Sequence, residues 1–399
     1  MPNTKSQPKT WQKMEFKDFV DTSPSVKLER GKEYPFIPMD VVDGQRKFPV
    51  EIKHKNFSGG GAKFANGDTI FARITPCLEN GKIVKIQGLE EGVGFGSTEF
   101  FVFRGKDGIS DSDFVYYLSR TDTIRDPAVK SMVGASGRQR ANKTVVDSVQ
   151  VTAPDLSQQK QIASVLSTYD NLIENNTRRI QILEQMAQAI YREAFATTNG
   201  KKIPLSDVIT IYRGKSYAGD ELSDTEGLPF VNLKCIDRDG GFRKSGLKRF
   251  TGKYKDTQKV IAGDIVMAVT DMTQDRRIIA RAARIPTLDG GFGIISMDLV
   301  KIEPKDGNDK DYIYLLLRWS DFSDEVKNHA NGANVLHLIP DRITDFKTHI
   351  ASVDQQMEFG KKVRSLLDLI DKLELQNESL RQTRDLLTPK LVTGEIAVK

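Results

Sequence analysis

Cysteine is nearly absent from this chain, with Cys77 and Cys235 the only two in 399 residues. That excludes a disulfide framework and any CxxC zinc pattern, and it fits a reducing compartment. Histidine is as scarce: His54, His329, His337 and His349 lack the spacing of metal ligands, so no metal is expected. No apolar run approaches the roughly 20 residues a membrane span needs. Met1-Pro2-Asn3-Thr4-Lys5 has no signal-type apolar segment, so a cytoplasmic chain without a membrane partner is the expectation. Catalytic motifs are also missing. There is no GxxxxGK[ST] phosphate loop, and Asp126-Pro127-Ala128 is the nearest approach to the Asn/Asp-Pro-Pro-aromatic motif of amino-methylating enzymes. The close glycines of Gly92-Val93-Gly94-Phe95-Gly96 stand outside any βαβ pattern and read as a turn. Asp68 and Asp264, in Gly-Asp turns, are read as binding local backbone.

What the chain does have, it has twice, about 197 residues apart. Ser157-Gln158-Gln159 opens one long heptad stripe: Ile162, Leu166, Tyr169, Ile173, Asn176, Ile180, Leu183, Ala187, Ile190, Ala194. Asp354-Gln355-Gln356 opens the other: Phe359, Val363, Leu366, Ile370, Leu373, Asn377, Leu380, Arg384, Leu387, Leu391. Steps of four and three sustained this long mark coiled-coil helices, and two in one chain most simply bury each other. Ser157 or Asp354 would serve as N-cap. Gly200 and Gly394 lie near the two helix ends, where glycine can take the left-handed conformation.

Landmarks recur ahead of each helix in the same order. Tyr34-Pro35-Phe36-Ile37-Pro38 resembles Leu228-Pro229-Phe230-Val231-Asn232, and Asn66-Gly67-Asp68-Thr69-Ile70 matches Ala262-Gly263-Asp264-Ile265-Val266. Gly94-Phe95-Gly96 matches Gly291-Phe292-Gly293, and Asp113–Leu118 matches Asp311–Leu316. Short alternating strands and aromatic helices give an α+β fold class. Two tandem paralogous domains (1–153 and 200–352) alternate with a central helix (154–199) and a C-terminal helix (353–399). Antiparallel pairing of the helices makes the chain pseudo-twofold and pseudo-circular. Setting Ile162 against Leu391 puts Asn176 opposite Asn377, and a buried Asn pair can fix register because slippage leaves each amide unpaired.

Two such domains, the Pro154-Asp155-Leu156-Ser157-Gln158-Gln159-Lys160-Gln161-Ile162 string and the ending Leu386-Leu387-Thr388-Pro389-Lys390-Leu391-Val392-Thr393-Gly394-Glu395-Ile396 resemble the specificity (S) subunit of type I restriction-modification systems. The resemblance covers essentially the whole chain, although Asp354-Gln355-Gln356 lacks the preceding proline. It implies a non-catalytic subunit whose target-recognition domains each read one half of a bipartite, asymmetric site on double-stranded DNA. It also implies helices that act as a ruler and dock two adenine-N6 methyltransferase subunits, joined by restriction/translocase subunits. No cofactor is then expected on this chain; S-adenosylmethionine would belong to the methyltransferase, and ATP with Mg to the restriction subunit. About 33 seam residues would make a rod of roughly 50 Å, about one and a half turns of duplex. A coiled-coil scaffold with two protein-binding domains remains an alternative, separable by a DNA shift assay. A stand-alone DNA-modifying enzyme is disfavoured by the missing motifs.

Net charge is +5, and the excess is concentrated: 238–259 holds eight Lys/Arg against Asp239 and Asp256. Reading bases needs Arg, Lys, Asn or Gln on loops, with other basic groups on phosphate. In the first domain the polar run Ser136–Lys143 offers Arg138, Gln139, Arg140 and Lys143, followed by Arg73 and then Lys53–Asn56. In the second, Asn334 and His337 take the place of that run, and Gln274, Arg276 and Arg277 follow the equivalent of Arg73. Arg243, Lys244, Lys248 and Arg249 look like phosphate contacts. Tyr116, Tyr117, Trp319 and Trp11 read as core.

Overall fold

The computed structural model describes residues 11–135, 137–195 and 201–398. Contacts divide the chain into two compact units, residues 1–177 with 376–399, and residues 178–375. Each contains globular elements and half of both 40-residue helices, Leu156–Phe195 and Val353–Val392.

In the first unit an antiparallel sheet runs Val20–Asp21, Phe100–Gly105, Thr69–Ala72, Ile83–Lys85. A mixed sheet runs Lys53–Asn56, Glu33–Ile37, Val93–Gly96, Ala62–Ala65, with a parallel pairing in its middle. The first sheet is apolar on both faces because both are covered. Phe71, Phe101 and Phe103 face a core with the Ser112–Ser119 helix, Ile162, Leu166 and Leu391. Ile70, Ala72 and Val102 face Ile37 and Phe64 of the mixed sheet. Pairing of Gln12–Glu15 with Gln150–Ala153 closes the unit.

The second unit repeats this topology. Its antiparallel sheet runs Ile209–Arg213, Leu299–Pro304, Ile265–Ala268, Ala282–Arg284, and its mixed sheet gains an edge strand, Leu222–Ser223, beside Lys248–Phe250. Ile203–Pro204 pairs with Lys347–Thr348 as Gln12–Glu15 pairs in the first. The fold is therefore α+β with two copies of one arrangement. Strand register corrects one match. Lys63 pairs with Phe95 and Lys259 with Ile294, so Gly94 corresponds to Gly293 and Phe95 to Ile294 rather than Phe292. Packing explains the shared glycine: an added Cβ would lie 2.7 Å from the Pro35 carbonyl oxygen and 2.8 Å from that of Pro229.

The long helices begin earlier than the heptads suggest. Neither Ser157 nor Asp354 is the N-cap; Asp155 Oδ1 accepts the Gln158 N–H at 2.9 Å, and Ser352 Oγ accepts that of Gln355 at 3.4 Å. This start turns the second glutamine of each pair inward, where Gln159 and Gln356 are both 1% exposed. Gln159 Nε2 donates to the carbonyls of Pro154 (2.8 Å) and Ile109 (2.9 Å), and its Oε1 accepts the Asp111 N–H at 2.8 Å. Gln356 likewise joins Ala351, Asn308 and Asp309. One amide thus fastens each long helix to the start of the short aromatic helix, which Asp111 or Asp309 caps. Gln159→Leu, which strands these backbone groups, is expected to cost about 2–3 kcal/mol in urea denaturation. A loss below about 0.5 kcal/mol would contradict the clamp, since buried unpaired groups cost more than that.

Within the first unit the helices run antiparallel: Asp170 meets Arg384 at 2.6 Å, and Asn176 Nδ2 donates to Asn377 Oδ1 at 3.0 Å. In the second, Tyr191 meets Phe359, with ring centroids 6.0 Å apart. The buried arc departs from a strict heptad. Asp170, Leu367 and Tyr191 are buried where Tyr169, Leu366 and Ala194 were expected. Each helix packs on the globular elements as well as on its partner, which widens the arc. The first helix is described as far as Phe195, and Gly200 lies outside the described residues; the second ends before Gly394, whose φ is +78°. Gly394 stands against Trp11, so the tail returns to the start of the first unit.

Candidate nucleic-acid interface

In each unit the segment after the Gly-Asp strand meets the segment that returns before the long helix. In the first, Ile74 bridges Arg140, Arg140 bridges Val133, and Thr75 N–H donates to the Gln139 carbonyl at 3.0 Å. In the second, Thr270 pairs with His337 and Asp271 with Leu336, and Gln274 Nε2 donates to the Ala333 carbonyl at 3.0 Å. The sequence placed these stretches apart along the chain; folding makes one two-loop platform of each pair.

Arg138 is exposed and, among the described residues, makes no side-chain hydrogen bond or ion pair. Gln139 is half-buried, with its backbone holding the platform. Arg140 is committed: its guanidinium grips Glu99 at 2.7–3.0 Å, which holds the Glu99 carboxyl below its ordinary pKa. Lys143 is a correction. It opens the Lys143–Asp147 helix rather than standing in the loop, and its ammonium binds Asp147 (2.8 Å) and Thr22 (2.8 Å). Arg73 lies over the Phe101 ring at 4.8 Å.

In the second unit Asp271, 4% exposed, clamps the loop at both ends. Its Oδ1 accepts Thr273 N–H (2.8 Å) and hydroxyl (2.8 Å), and its Oδ2 accepts Ile278 N–H (3.1 Å). Arg276 sits at φ +55°, and Arg277 is exposed, 3.8 Å from Asp239. Asn334 and His337 are exposed on the returning arm.

The basic groups form a second feature, on the mixed sheets. Phe36 pairs with Lys53 as Phe230 pairs with Lys248, so Lys53-His54 and Lys248-Arg249 occupy equivalent places, on strands rather than loops. Lys248 is exposed, while Arg249 binds Asp289 at 3.0 Å. Arg243 Nε donates to the Lys234 carbonyl at 2.9 Å beside the 3-10 turn of Lys244.

Several groups escaped the sequence reading. Asp68 accepts the Ala65 N–H at 2.7 Å, as expected, but also takes Arg104 in two bonds; Asp264 holds Lys310 at 2.9 Å. Asp271 carried no signal beyond its place after a strand. Tyr116, Tyr117, Trp319 and Trp11 pack in or against the cores. Burial pushes the Cys235 thiol up to about 12, leaving negligible thiolate at neutral pH. Among the described residues no group of three or more His, Cys, Asp or Glu could hold a metal ion, and no helix is long and apolar enough to cross a membrane.

Asn176 and Asn377 are buried together, with Gln376 Oε1 3.2 Å from Asn176 Nδ2 and Thr177 Oγ1 3.4 Å from Asn377 Nδ2. Asn377→Leu is expected to lower stability by about 1–3 kcal/mol, the cost of leaving the Asn176 amide buried and unpaired. Thermal denaturation checks this; an unchanged melting temperature would remove any role in register.

The sequence profile described as the type I restriction modification DNA specificity domain matches residues 8–185. The MjaIX type I restriction enzyme specificity subunit of Methanocaldococcus jannaschii is 24% identical, over 98% of this chain and 95% of its own length. The MjaVIII specificity subunit of the same organism is 24% identical over 76% of this chain and 78% of its own length. Among solved structures, the S subunit of a type I restriction-modification system from M. genitalium superposes with a TM-score of 0.55 at 15% identity, covering 96% of each chain. That likeness is one of fold.

Proposed function

We propose that this chain is a specificity subunit of a type I restriction-modification system, a reading supported by the profile match over residues 8–185 and by the relatives at 24% identity, and that each unit reads one half of a bipartite DNA target through its two-loop platform. The observation that carries this reading is the recurrence of one platform in the same place in both units with different side chains. Arg138 is exposed in one, and Arg277, Asn334 and His337 in the other. The same scaffold with different readers predicts two unlike half-sites. The paired long helices would set the spacer between them and offer docking faces to two adenine-N6 methyltransferase subunits, with restriction subunits joining that assembly. Catalysis, S-adenosylmethionine, ATP and Mg would belong to those partners.

Mapping methylated adenines in a genome that carries this chain and its methyltransferase tests the proposal. Two unlike blocks separated by unread base pairs are expected; a single contiguous block would refute it. A graded check uses the basic strand. Lys248→Ala should weaken binding to all sequences alike and reduce the slope of log affinity against log salt by about one, the signature of a lost phosphate contact. A change confined to one sequence would assign Lys248 to base readout instead.

A further inference from the structure

Val133, 69% exposed, and Met272, 68% exposed, are the two most exposed large apolar side chains among the described residues. A single exposed apolar residue is ordinary on a protein surface. These two, however, stand one in each unit, and both on the two-loop platform. Neither is loosely held. Val133 exchanges both backbone hydrogen bonds with Arg140, at 3.1 and 2.9 Å, and Arg140 in turn bridges Ile74. Met272 directly follows Asp271, whose buried carboxylate closes the loop around it. The surroundings suit a polyanion. Segment 130–143 carries four Lys/Arg and no acid, although Arg140 and Lys143 are paired with Glu99 and Asp147, and Met272 is followed by Asp275, Arg276 and Arg277.

An exposed apolar side chain on a fixed backbone, on a surface proposed to read DNA, has one matching feature in the major groove, the C5-methyl of thymine. We infer that Val133 and Met272 each contact a thymine methyl, one in each half-site, and so are specificity-determining residues. The inference deepens the proposed function and rests on it. The two do not occupy equivalent positions: Val133 lies on the returning arm of its platform and Met272 on the leading arm. The thymine they read therefore falls at different places in the two half-sites.

The test uses the full chain bound to its methyltransferase partner and a duplex carrying the mapped target. Each thymine is replaced in turn by deoxyuridine, which removes only the methyl group. One position in each half-site should lose about fourfold in affinity, the worth of burying one methyl-sized group. Val133→Ala should abolish the penalty in one half-site and Met272→Ala in the other, while Met272→Leu keeps it. The inference is overturned if no deoxyuridine weakens binding, or if both penalties persist at full size in the alanine variants. It is also overturned if those variants lose the methyltransferase while keeping the penalties, which would assign the side chains to the protein partner. Failure of the underlying reading looks different: the wild-type complex would not prefer the mapped duplex to a scrambled one.

Discussion

Arg384→Ala is expected to destabilise the unit of residues 1–177 and 376–399 by about 3–5 kcal/mol, the cost of leaving a buried charge without its partner. The Arg384 and Asp170 side chains are each 1% exposed, with Nη1 2.6 Å from Oδ1. Burial works against the Arg384 charge, and Asp170 and Asp385 more than offset it, so its pKa is raised. Tyr117 donates to the other oxygen of Asp170 at 2.5 Å; burial and that carboxylate raise the phenol's pKa and keep it protonated. The second unit supplies the control. A shift of 197 residues, the interval between the two helices, turns Asp170 and Arg384 into Leu367 and Ala187, 5% and 0% exposed. The double variant Asp170→Leu/Arg384→Ala copies that pair and should recover most of the loss, because an apolar replacement of a buried ion pair is often neutral or better. Urea denaturation of wild type, both single variants and the double variant gives the coupling. A double variant as unstable as the two single losses added would contradict the account.

Arg138→Ala should lower affinity for one half-site by about 10- to 100-fold, the worth of one bidentate base contact, and leave the other half-site unchanged. Of the basic residues between positions 137 and 143, Arg138 alone has its side chain uncommitted among the described residues, since Arg140 holds Glu99 and Lys143, at the helix start, holds Asp147. Binding of the methyltransferase-bound chain to duplexes altered in one half at a time reads this directly. Equal losses on both halves would overturn the assignment of one unit to one half-site.

The duplication, the paired helices and the Asn176–Asn377 contact were legible because they rest on period and spacing, which the chain carries openly. The platforms were legible only as separate polar stretches; nothing in sequence says that Thr75 hydrogen-bonds Gln139, or that Gln274 reaches Ala333. Lys143 misled because a lysine after Asn142 reads the same in a loop and at a helix start, and the Asn142 cap is a matter of backbone geometry. Tyr169 misled because a strict heptad assumes one packing partner, whereas this helix has two, so the buried position falls on Asp170. Arg384 did stand in the stripe as a charged intruder. Its partner could not be read, because Asp170 looked like part of the solvent face.

That intruder bears on which helix can pair with which. In a homotypic pairing of two first helices with the same geometry, Asp170 would be buried against Ala187; in one of two second helices, Arg384 would be buried against Leu367. Both leave a buried charge without its partner, so pairing of like segments is disfavoured relative to unlike ones. A chain that carries one of Asp170 and Arg384 without the other is then expected to be less stable than one that has both or neither.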